Sequence, residues 1–204
     1  MILHNDFFKK DVVMLAKSLI GKVLCRKIDT VTLKARIIET EAYSKSEPAS
    51  HSSLGWSLSR AAMFMDAGTI YMYHSRAGAS FNISALGAGD AVLVKSAVCF
   101  LDNDKDTLYF MQQINKKNDK LRDIYYLASG QTLLCKSLMI DRVLWDKKQF
   151  NNKLYIEYTG YIPENIVITS RLGIPKDRDN LLLPYRYIDK KYIKYATKGR
   201  CKFY

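Results

Sequence analysis

Two neighbouring stretches of the sequence are rich in β-branched residues and alternate apolar with polar side chains. They run from Lys22 to Asp29 and from Leu33 to Tyr43, and only a few residues near Asp29 and Thr30 separate them. Alternation with a period of two is typical of a strand with one buried face, and so short a connection favours antiparallel pairing. The two stretches therefore predict a β-hairpin within an antiparallel sheet.

The rest of the chain mixes helical and strand patterns, with no repeat and no shift in composition that would mark a domain boundary. Asp11 precedes apolar residues at helical spacing that end before Gly21, which predicts an amphipathic first helix. Residues 44–68 are expected to form a loop. Further strands are predicted at 69–74, 80–85, 91–98, 153–158, 166–170 and 185–188, and further helices at 107–115 and 131–139. Residues 1–204 thus predict one α+β domain with a mainly antiparallel sheet.

The composition agrees with a folded cytoplasmic protein. With 204 residues, 48% hydrophobic and 25% charged, the chain can bury a sizeable core, which excludes a mostly disordered chain. No apolar run has the length of a signal peptide core or a membrane span, so neither of these segments is expected. The four cysteines, Cys25, Cys99, Cys135 and Cys201, form no close ligand pair, and reduced, mostly buried thiols are expected.

The charge indicates a polyanionic partner, with nucleic acid ahead of an anionic membrane. The formal net charge is +12, and residues 176–204 contain nine Lys and Arg against three Asp. Aromatic side chains are interleaved with these charges at Tyr185, Tyr187, Tyr192, Tyr195 and Phe203. Such a segment fits a surface that follows a phosphate backbone, but an ordinary terminal strand with a tail has the same pattern.

The strand that ends at Tyr43 carries two carboxylates where its apolar face would continue. If the strand stays extended, Glu39 and Glu41 share a face with Leu33, Ala35 and Ile37. Periodicity alone favours a strand that leaves the core at Glu39, with both acids in solvent. The alternative is a partly desolvated carboxylate that serves as a general base or acid. Side chains two apart on a strand point the same way, so a mechanism that needs two carboxylates flanking a bond is disfavoured.

Motifs across nearly the whole chain resemble the alkyladenine (3-methyladenine) DNA glycosylase family. The matching stretches are Phe7-Phe8, Leu15-Ala16, Leu19–Gly21, Ile37–Tyr43, His51-Ser52, Met63–Met65, Gly68–Tyr73, Asn82–Ser84, Ala91–Lys95, Arg171–Ile174 and Leu183–Tyr187. The block Glu-Thr-Glu-Ala-Tyr, followed by a histidine at the family's spacing, is the most specific of them. The resemblance implies a compact domain on a curved antiparallel sheet, a monomer, and no metal or organic cofactor.

The resemblance also implies an activity and the residues that perform it. The enzyme would flip a damaged purine out of double-stranded DNA and hydrolyse its N-glycosidic bond, leaving an abasic site. Glu41 would be the general base that activates a water against the sugar C1′. Tyr43 and His51 on one side and Tyr73 on the other would hold the base, and Asn82 would form the pocket floor and disfavour the amino group of normal guanine.

Other positions are assigned secondary roles or depart from the family pattern. For neutral lesions His51 is the candidate proton donor, and Glu39 is expected to be structural. The family's intercalating Tyr has no counterpart in residues 74–80, where Arg76 is either a substitute plug or a contact to phosphate or solvent. Lys95 stands where the family usually has an Arg that contacts DNA. The family's Arg-Asn pair before the Met-Phe is not reproduced, and only Arg60 lies nearby. All three are expected at the DNA interface.

Two alternatives to the glycosylase remain at this point. A catalytically impaired relative would bind damaged DNA without excising a base, and the missing wedge favours it. A basic RNA-binding or membrane-binding protein would make the motif match accidental. Glu41 together with the aromatic positions argues against both, because charge alone explains binding but not a carboxylate within an aromatic constellation.

Overall fold

One long strand organises the sheet in this computed structural model, which describes residues 1–75, 78–174 and 183–198. Within these ranges the chain forms eight antiparallel strands. They are β1 (Val23–Ile28), β2 (Val31–Tyr43), β3 (Ile70–Ser75), β4 (Gly78–Ser84), β5 (Ala91–Val98), β6 (Leu154–Glu157), β7 (Ile166–Thr169) and β8 (Arg186–Asp189). The central path of the sheet runs β3-β4-β5-β2-β1-β6.

The strand β2 changes one of its neighbours halfway along. Its first half pairs with β1, whereas Glu39–Glu41 pair with β8, which in turn pairs with β7. β5 pairs along the other edge of β2, and its register shifts around Glu39. A bulge bends and twists a strand, so the sheet curls at this point and the C-terminal half of β2 faces a different set of neighbours.

Five α-helices in the described ranges flank the sheet. They are α1 (Asn5–Phe8), α2 (Val12–Leu19), α3 (Lys105–Ile114), α4 (Gln131–Ser137) and α5 (Arg142–Trp145). Asp11 caps α2 by accepting hydrogen bonds from the backbone of Val13 and Met14. The buried face of α2 packs on β2, where the Thr40 hydroxyl donates to the carbonyl of Ala16 at 2.9 Å.

These elements confirm the predicted fold class, a curved and mainly antiparallel α+β structure. The predicted hairpin, the first helix, the other six strands and the two later helices are all present, with bounds that differ by a few residues. The sequence patterns missed the one-turn helices α1 and α5, which are too short to show a helical period. The predicted loop at 44–68 contains two 3₁₀ turns, at His51–Leu54 and Ala61–Phe64.

The expectation for the faces of β2 is wrong beyond Ile37. Ile37 lies in the main core, but Ile38 packs in a second cluster with Val98, and Glu39 accepts a hydrogen bond from Ser96 beside it. Because the bulge turns Ile38 and Glu39 to the same face, the alternation is reset. Glu39 and Glu41 therefore lie opposite the Leu33 face, and both are fully buried instead of being in solvent.

The C-terminal basic segment is mainly structural where it is described. Tyr187, Tyr192 and Tyr195 are buried, and Arg186 is buried in an ion pair, whereas the lysines of residues 190–198 are exposed. Residues 175–182 and 199–204, which carry the other charges and Phe203, lie outside the described ranges. Cys25, Cys99 and Cys135 are buried and reduced, as expected, and Cys201 lies outside the described ranges. No helix in the described part is long and apolar enough to cross a membrane.

Candidate active site

A cavity of about 530 Å³ opens where β3, β4 and β5 meet two loop segments. The strands supply its floor and the loops supply its rim. Its lining residues are Tyr43, Ala49, Ser50, His51, Met63, Tyr71, Tyr73, His74, Ser75, Asn82, Ala91, Leu93, Lys95, Gln131, Leu172, Gly173 and Ile174. The predicted base-binding residues Tyr43, His51, Tyr73 and Asn82 are all among them.

One wall of the cavity is a cluster of three aromatic rings. Tyr71 and Tyr73 are two apart on β3 and project to one face, with ring centres 5.7 Å apart. His51 meets Tyr73 edge to face at 4.5 Å, and its Nδ1 lies 2.9 Å from the Tyr71 hydroxyl. Burial, together with the neighbouring Tyr73, raises the pKa of Tyr71 to about 12. The Tyr71 phenol is therefore neutral at physiological pH and orients the imidazole.

The contact between His51 and Tyr73 corrects the predicted arrangement of the base-binding residues. A planar base stacks about 3.5 Å from each flanking ring, so rings on opposite sides of it stand about 7 Å apart. His51 and Tyr73 are too close to admit a base between them. They form one wall together, which leaves Tyr43 as the ring that can face them.

The Glu41 carboxylate lies directly behind the lining of the cavity. It is fully buried, and three hydrogen-bond donors from lining residues converge on it. The Tyr43 hydroxyl donates to Oε2 at 2.9 Å, the Lys95 ammonium lies 3.4 Å from the same oxygen, and the Leu172 backbone N–H donates to Oε1 at 3.0 Å. A buried carboxylate requires such donors, and here all of them connect it to the cavity surface.

Tyr43 is held in place by a buried ion pair that the sequence analysis did not identify. Arg171 donates to both oxygens of Glu47 and to the Ala42 carbonyl, the latter at 2.7 Å. Its guanidinium stacks on the Tyr43 ring, 4.5 Å from the ring centre. Burial and the Glu41 carboxylate raise the pKa of Tyr43, so its hydroxyl keeps the proton that it donates. Arg171 belongs to a family-like motif, but its partner is 124 residues away in the sequence.

The hydrogen-bond partners of Glu39 all belong to the surrounding framework, which agrees with the structural role expected for it. One carboxylate oxygen accepts from Arg186 Nε at 2.6 Å, and the other accepts from the Ser96 hydroxyl and from the Thr197 backbone N–H. Ser96 also accepts from the backbone of Gly130, at the start of α4. Glu39 thus joins β2, β5, β8, α4 and the C-terminal segment behind the cavity.

The floor and one side of the cavity are polar. Asn82 is buried on β4 and donates to the Tyr71 carbonyl at 3.0 Å, which fixes the direction of its amide. Lys95 extends from β5 and is 11% exposed. A shallower cavity of about 400 Å³ adjoins this side and is lined by Lys95, Arg171, Leu172, Gly173, Ile174, Thr197 and Lys198. Lys198 adds an exposed positive charge there, whereas Lys95 and Arg171 are paired with the buried carboxylates of Glu41 and Glu47.

Arg60, another predicted DNA-contacting residue, is not among the residues that line the cavity. Arg60 is half-buried, and its guanidinium donates to the carbonyls of Gly55 and Leu54 at 2.8 and 3.3 Å. Arg76 lies outside the described residues. Among the residues that the structure describes, no group of three or more His, Cys, Asp and Glu side chains is arranged to hold a metal ion.

Comparisons with a family model and with known proteins point to the same family. The sequence model of the family described as "Methylpurine-DNA glycosylase (MPG)" matches residues 6–192. A protein of Pseudomonas syringae pv. syringae is 46% identical over 201 residues, covering 97% of this chain and 90% of the relative. Proteins of Pseudomonas fluorescens and Clostridium beijerinckii are 42% and 36% identical; the matches cover 97% and 95% of this chain and 87% and 98% of those proteins. Each is named "Putative 3-methyladenine DNA glycosylase".

The matched residues include β2 with Glu41, the aromatic wall and the Arg171 segment, so the likeness covers the site as well as the fold. Relatives of this identity over nearly the full chain share both fold and ancestry. This chain belongs to the methylpurine-DNA glycosylase family.

Proposed function

We propose that this protein is a DNA repair enzyme that hydrolyses the N-glycosidic bond of alkylated or deaminated purines flipped out of double-stranded DNA, with Glu41 as the general base. The observation that carries the proposal is the fully buried Glu41 carboxylate directly behind an aromatic cavity. Glu39 and Glu47 are also buried, but each forms an ion pair with a buried arginine, whereas the donors to Glu41 all line the cavity. A DNA-binding module needs positive charge at its surface, but it does not need a carboxylate at an aromatic cavity.

The cavity suits a damaged purine. Alkylation gives the purine a positive charge, so the base is already a good leaving group and is attracted to the faces of electron-rich rings. In the proposed complex the base lies between Tyr43 and the wall formed by His51 and Tyr73. Asn82 lies at the floor, where its amide discriminates among purine edges by size and hydrogen bonding.

In the proposed reaction Glu41 accepts a proton from a water molecule as the water oxygen bonds to the sugar C1′. The C1′–N bond breaks, and its electron pair leaves with the purine. A cationic alkylated base departs as a neutral molecule. A neutral lesion needs a proton or a hydrogen bond on its leaving nitrogen. In the proposed reaction His51 supplies it, and the contact of its Nδ1 with the Tyr71 hydroxyl supports this role.

In the proposed complex, water reaches Glu41 when the contact with Lys95 opens. That contact is the longest of the three, at 3.4 Å, and its donor is a charged side chain that lines both cavities. A DNA phosphate entering the shallower cavity attracts Lys95. In the proposed complex, water then takes the position next to Oε2, while Tyr43 and Leu172 keep the carboxylate oriented.

The test is single-turnover excision from DNA duplexes that carry one hypoxanthine or ethenoadenine, together with release of methylated bases from alkylated DNA. We expect the wild type to release at least one of these bases. Glu41→Gln keeps the size of the side chain and removes the base, so excision should fall by about 100-fold or more. Glu164→Gln, which changes an exposed carboxylate, is the control and should retain the wild-type rate.

The catalytically impaired relative is the competing function. It predicts that wild type and Glu41→Gln bind lesion-bearing duplexes equally and that neither releases a base. That result would overturn the glycosylase assignment. Binding that falls with salt would not separate the two, because any basic protein shows it.

A further inference from the structure

A short loop at the rim of the cavity presents apolar side chains to solvent. It comprises residues 54–60, between the two 3₁₀ turns, and we call it the Trp56 loop. Leu54, Trp56 and Leu58 are 67%, 62% and 74% exposed. Single exposed apolar residues are ordinary, but three at alternate positions of one loop, with an indole at the centre, indicate a contact surface.

The two 3₁₀ turns that flank the Trp56 loop contribute to the cavity wall. His51, at the start of the preceding turn, and Met63, in the following turn, both line the cavity. Trp56 is five residues beyond His51, so it lies at most about 18 Å from it. Successive bases of one DNA strand are about 3.4 Å apart. The backbone of Trp56 is therefore within about five base steps of His51, which lines the cavity.

The loop is held in shape by Arg60. Its guanidinium donates to the carbonyls of Gly55 and Leu54, and its backbone N–H donates to the Ser57 carbonyl at 3.0 Å. These bonds close the loop on itself, so the exposed side chains are presented on an ordered backbone. Pre-ordering lowers the entropic cost of binding, and the arginine adds positive charge next to the indole.

We infer that Trp56 is a DNA-contacting residue whose indole stacks on a base beside the flipped nucleotide. This inference rests on the proposed function. Removing one nucleotide from a duplex leaves its neighbours unstacked, and an aromatic side chain at the rim replaces that stacking. Residues 74–80 of the β3–β4 connection contain no Phe, Tyr or Trp, so the sequence offers no aromatic plug there. The net charge of +12 favours DNA over a protein as the occupant of this apolar patch.

The two tryptophans of the chain allow a direct test. Trp145 is 5% exposed in the core, and its indole N–H has no hydrogen-bond partner among the described residues. Trp145→Phe therefore loses no hydrogen bond and leaves Trp56 as the only tryptophan. The emission of this variant is measured during titration with a duplex that contains a tetrahydrofuran abasic-site analogue. We expect the emission to be strongly quenched at saturation.

Binding measurements on further variants separate stacking from general attraction. Trp56→Ala should bind the abasic-analogue duplex about tenfold more weakly, while Trp56→Phe should recover most of the affinity. The salt dependence should be unchanged in both, because the indole is neutral. Val143→Ala, which changes an 89% exposed apolar residue on α5, is the matched control and should bind like the wild type.

An unchanged Trp56 emission on duplex that is demonstrably bound would overturn the inference. So would an unaltered affinity of Trp56→Ala, or self-association in sedimentation that Trp56→Ala abolishes while DNA binding is retained. The proposed function is judged separately by base release. Excision with unchanged Trp56 emission contradicts only the inference, whereas quenching without excision by the wild type contradicts only the glycosylase assignment.

Discussion

The Arg171 guanidinium lies 4.5 Å from the centre of the Tyr43 ring. It is held there by both oxygens of Glu47, and the next residue along the chain, Leu172, donates its backbone N–H to Glu41. One buried arginine therefore positions both an aromatic ring of the proposed base pocket and a hydrogen-bond donor to the proposed general base.

The first prediction concerns this Arg171–Glu47 pair. Arg171→Met leaves Glu47 buried without a counterion and should lower the free energy of unfolding by about 3–5 kcal/mol. Arg171→Lys keeps the charge but loses the bidentate geometry. This variant should still fold, but it should excise the damaged base more slowly than the wild type. Urea unfolding and single-turnover excision measure the two effects. Lys34→Met breaks a more exposed pair with Glu157 and should cost less than about 1 kcal/mol; equal losses for Arg171→Met and Lys34→Met would contradict the prediction.

Glu39→Gln should mainly lower stability, whereas Glu41→Gln should mainly lower the rate of excision. Glu39→Gln breaks the buried pair with Arg186 and should lower the free energy of unfolding by about 3 kcal/mol, with a near-normal rate per folded molecule. Glu41→Gln should lower the free energy of unfolding by about 1–2 kcal/mol and slow excision by about 100-fold or more. Both are checked by denaturation with active-site titration. If Glu39→Gln lost excision at full stability, its structural assignment would be wrong.

Gly68 should be intolerant of a side chain for steric reasons. Its φ is +88°, and a Cβ there would lie 2.9 Å from Cδ2 of the Phe8 ring, which is buried in the core. Gly160 has the same φ of +88° with open space around it, so it shows the backbone cost at this φ without crowding. Gly160→Ala should cost about 1 kcal/mol for its backbone alone, and Gly68→Ala should cost 1–3 kcal/mol more, about the cost of overpacking. Thermal unfolding of both variants tests the difference.

The stability should fall at alkaline pH because of buried tyrosines. The folded pKa of Tyr71 is raised to about 12, against about 10 in an unfolded chain. A raised folded pKa contributes stability that is complete below pH 10 and is lost as the pH rises towards 12. The loss is about 1.4 kcal/mol per pH unit for this residue. Urea unfolding from pH 9 to 11 should show a shallower decline in Tyr71→Phe. The control Tyr109→Phe, at an exposed ring, should follow the wild type.

Local signals were enough to predict most elements of the fold. The capping side chain of Asp11, the glycine at position 21 and the short connection at Asp29 each act within a few residues. Helix caps, turns and hydrophobic periodicity are short-range effects, so they can be read from neighbouring residues. The same holds for the motif that contains Glu41, Tyr43 and His51, which carried the resemblance to the family.

The order and type of the larger elements, and the residues available for chemistry, could be predicted from the amino-acid sequence alone. The environment of the carboxylates could not, because it depends on long-range packing. The bulge at Ile38 and Glu39 reversed a face, and the adjacent Ile37 and Ile38 gave no signal for it, because two apolar residues in a row do not define a period of two. The pairing of Glu39 with Arg186 and of Glu47 with Arg171 joins residues more than 120 positions apart. Such contacts depend on which strands meet and in what register, which no local pattern encodes, and they are what bury Glu39 and align Tyr43 beside Glu41.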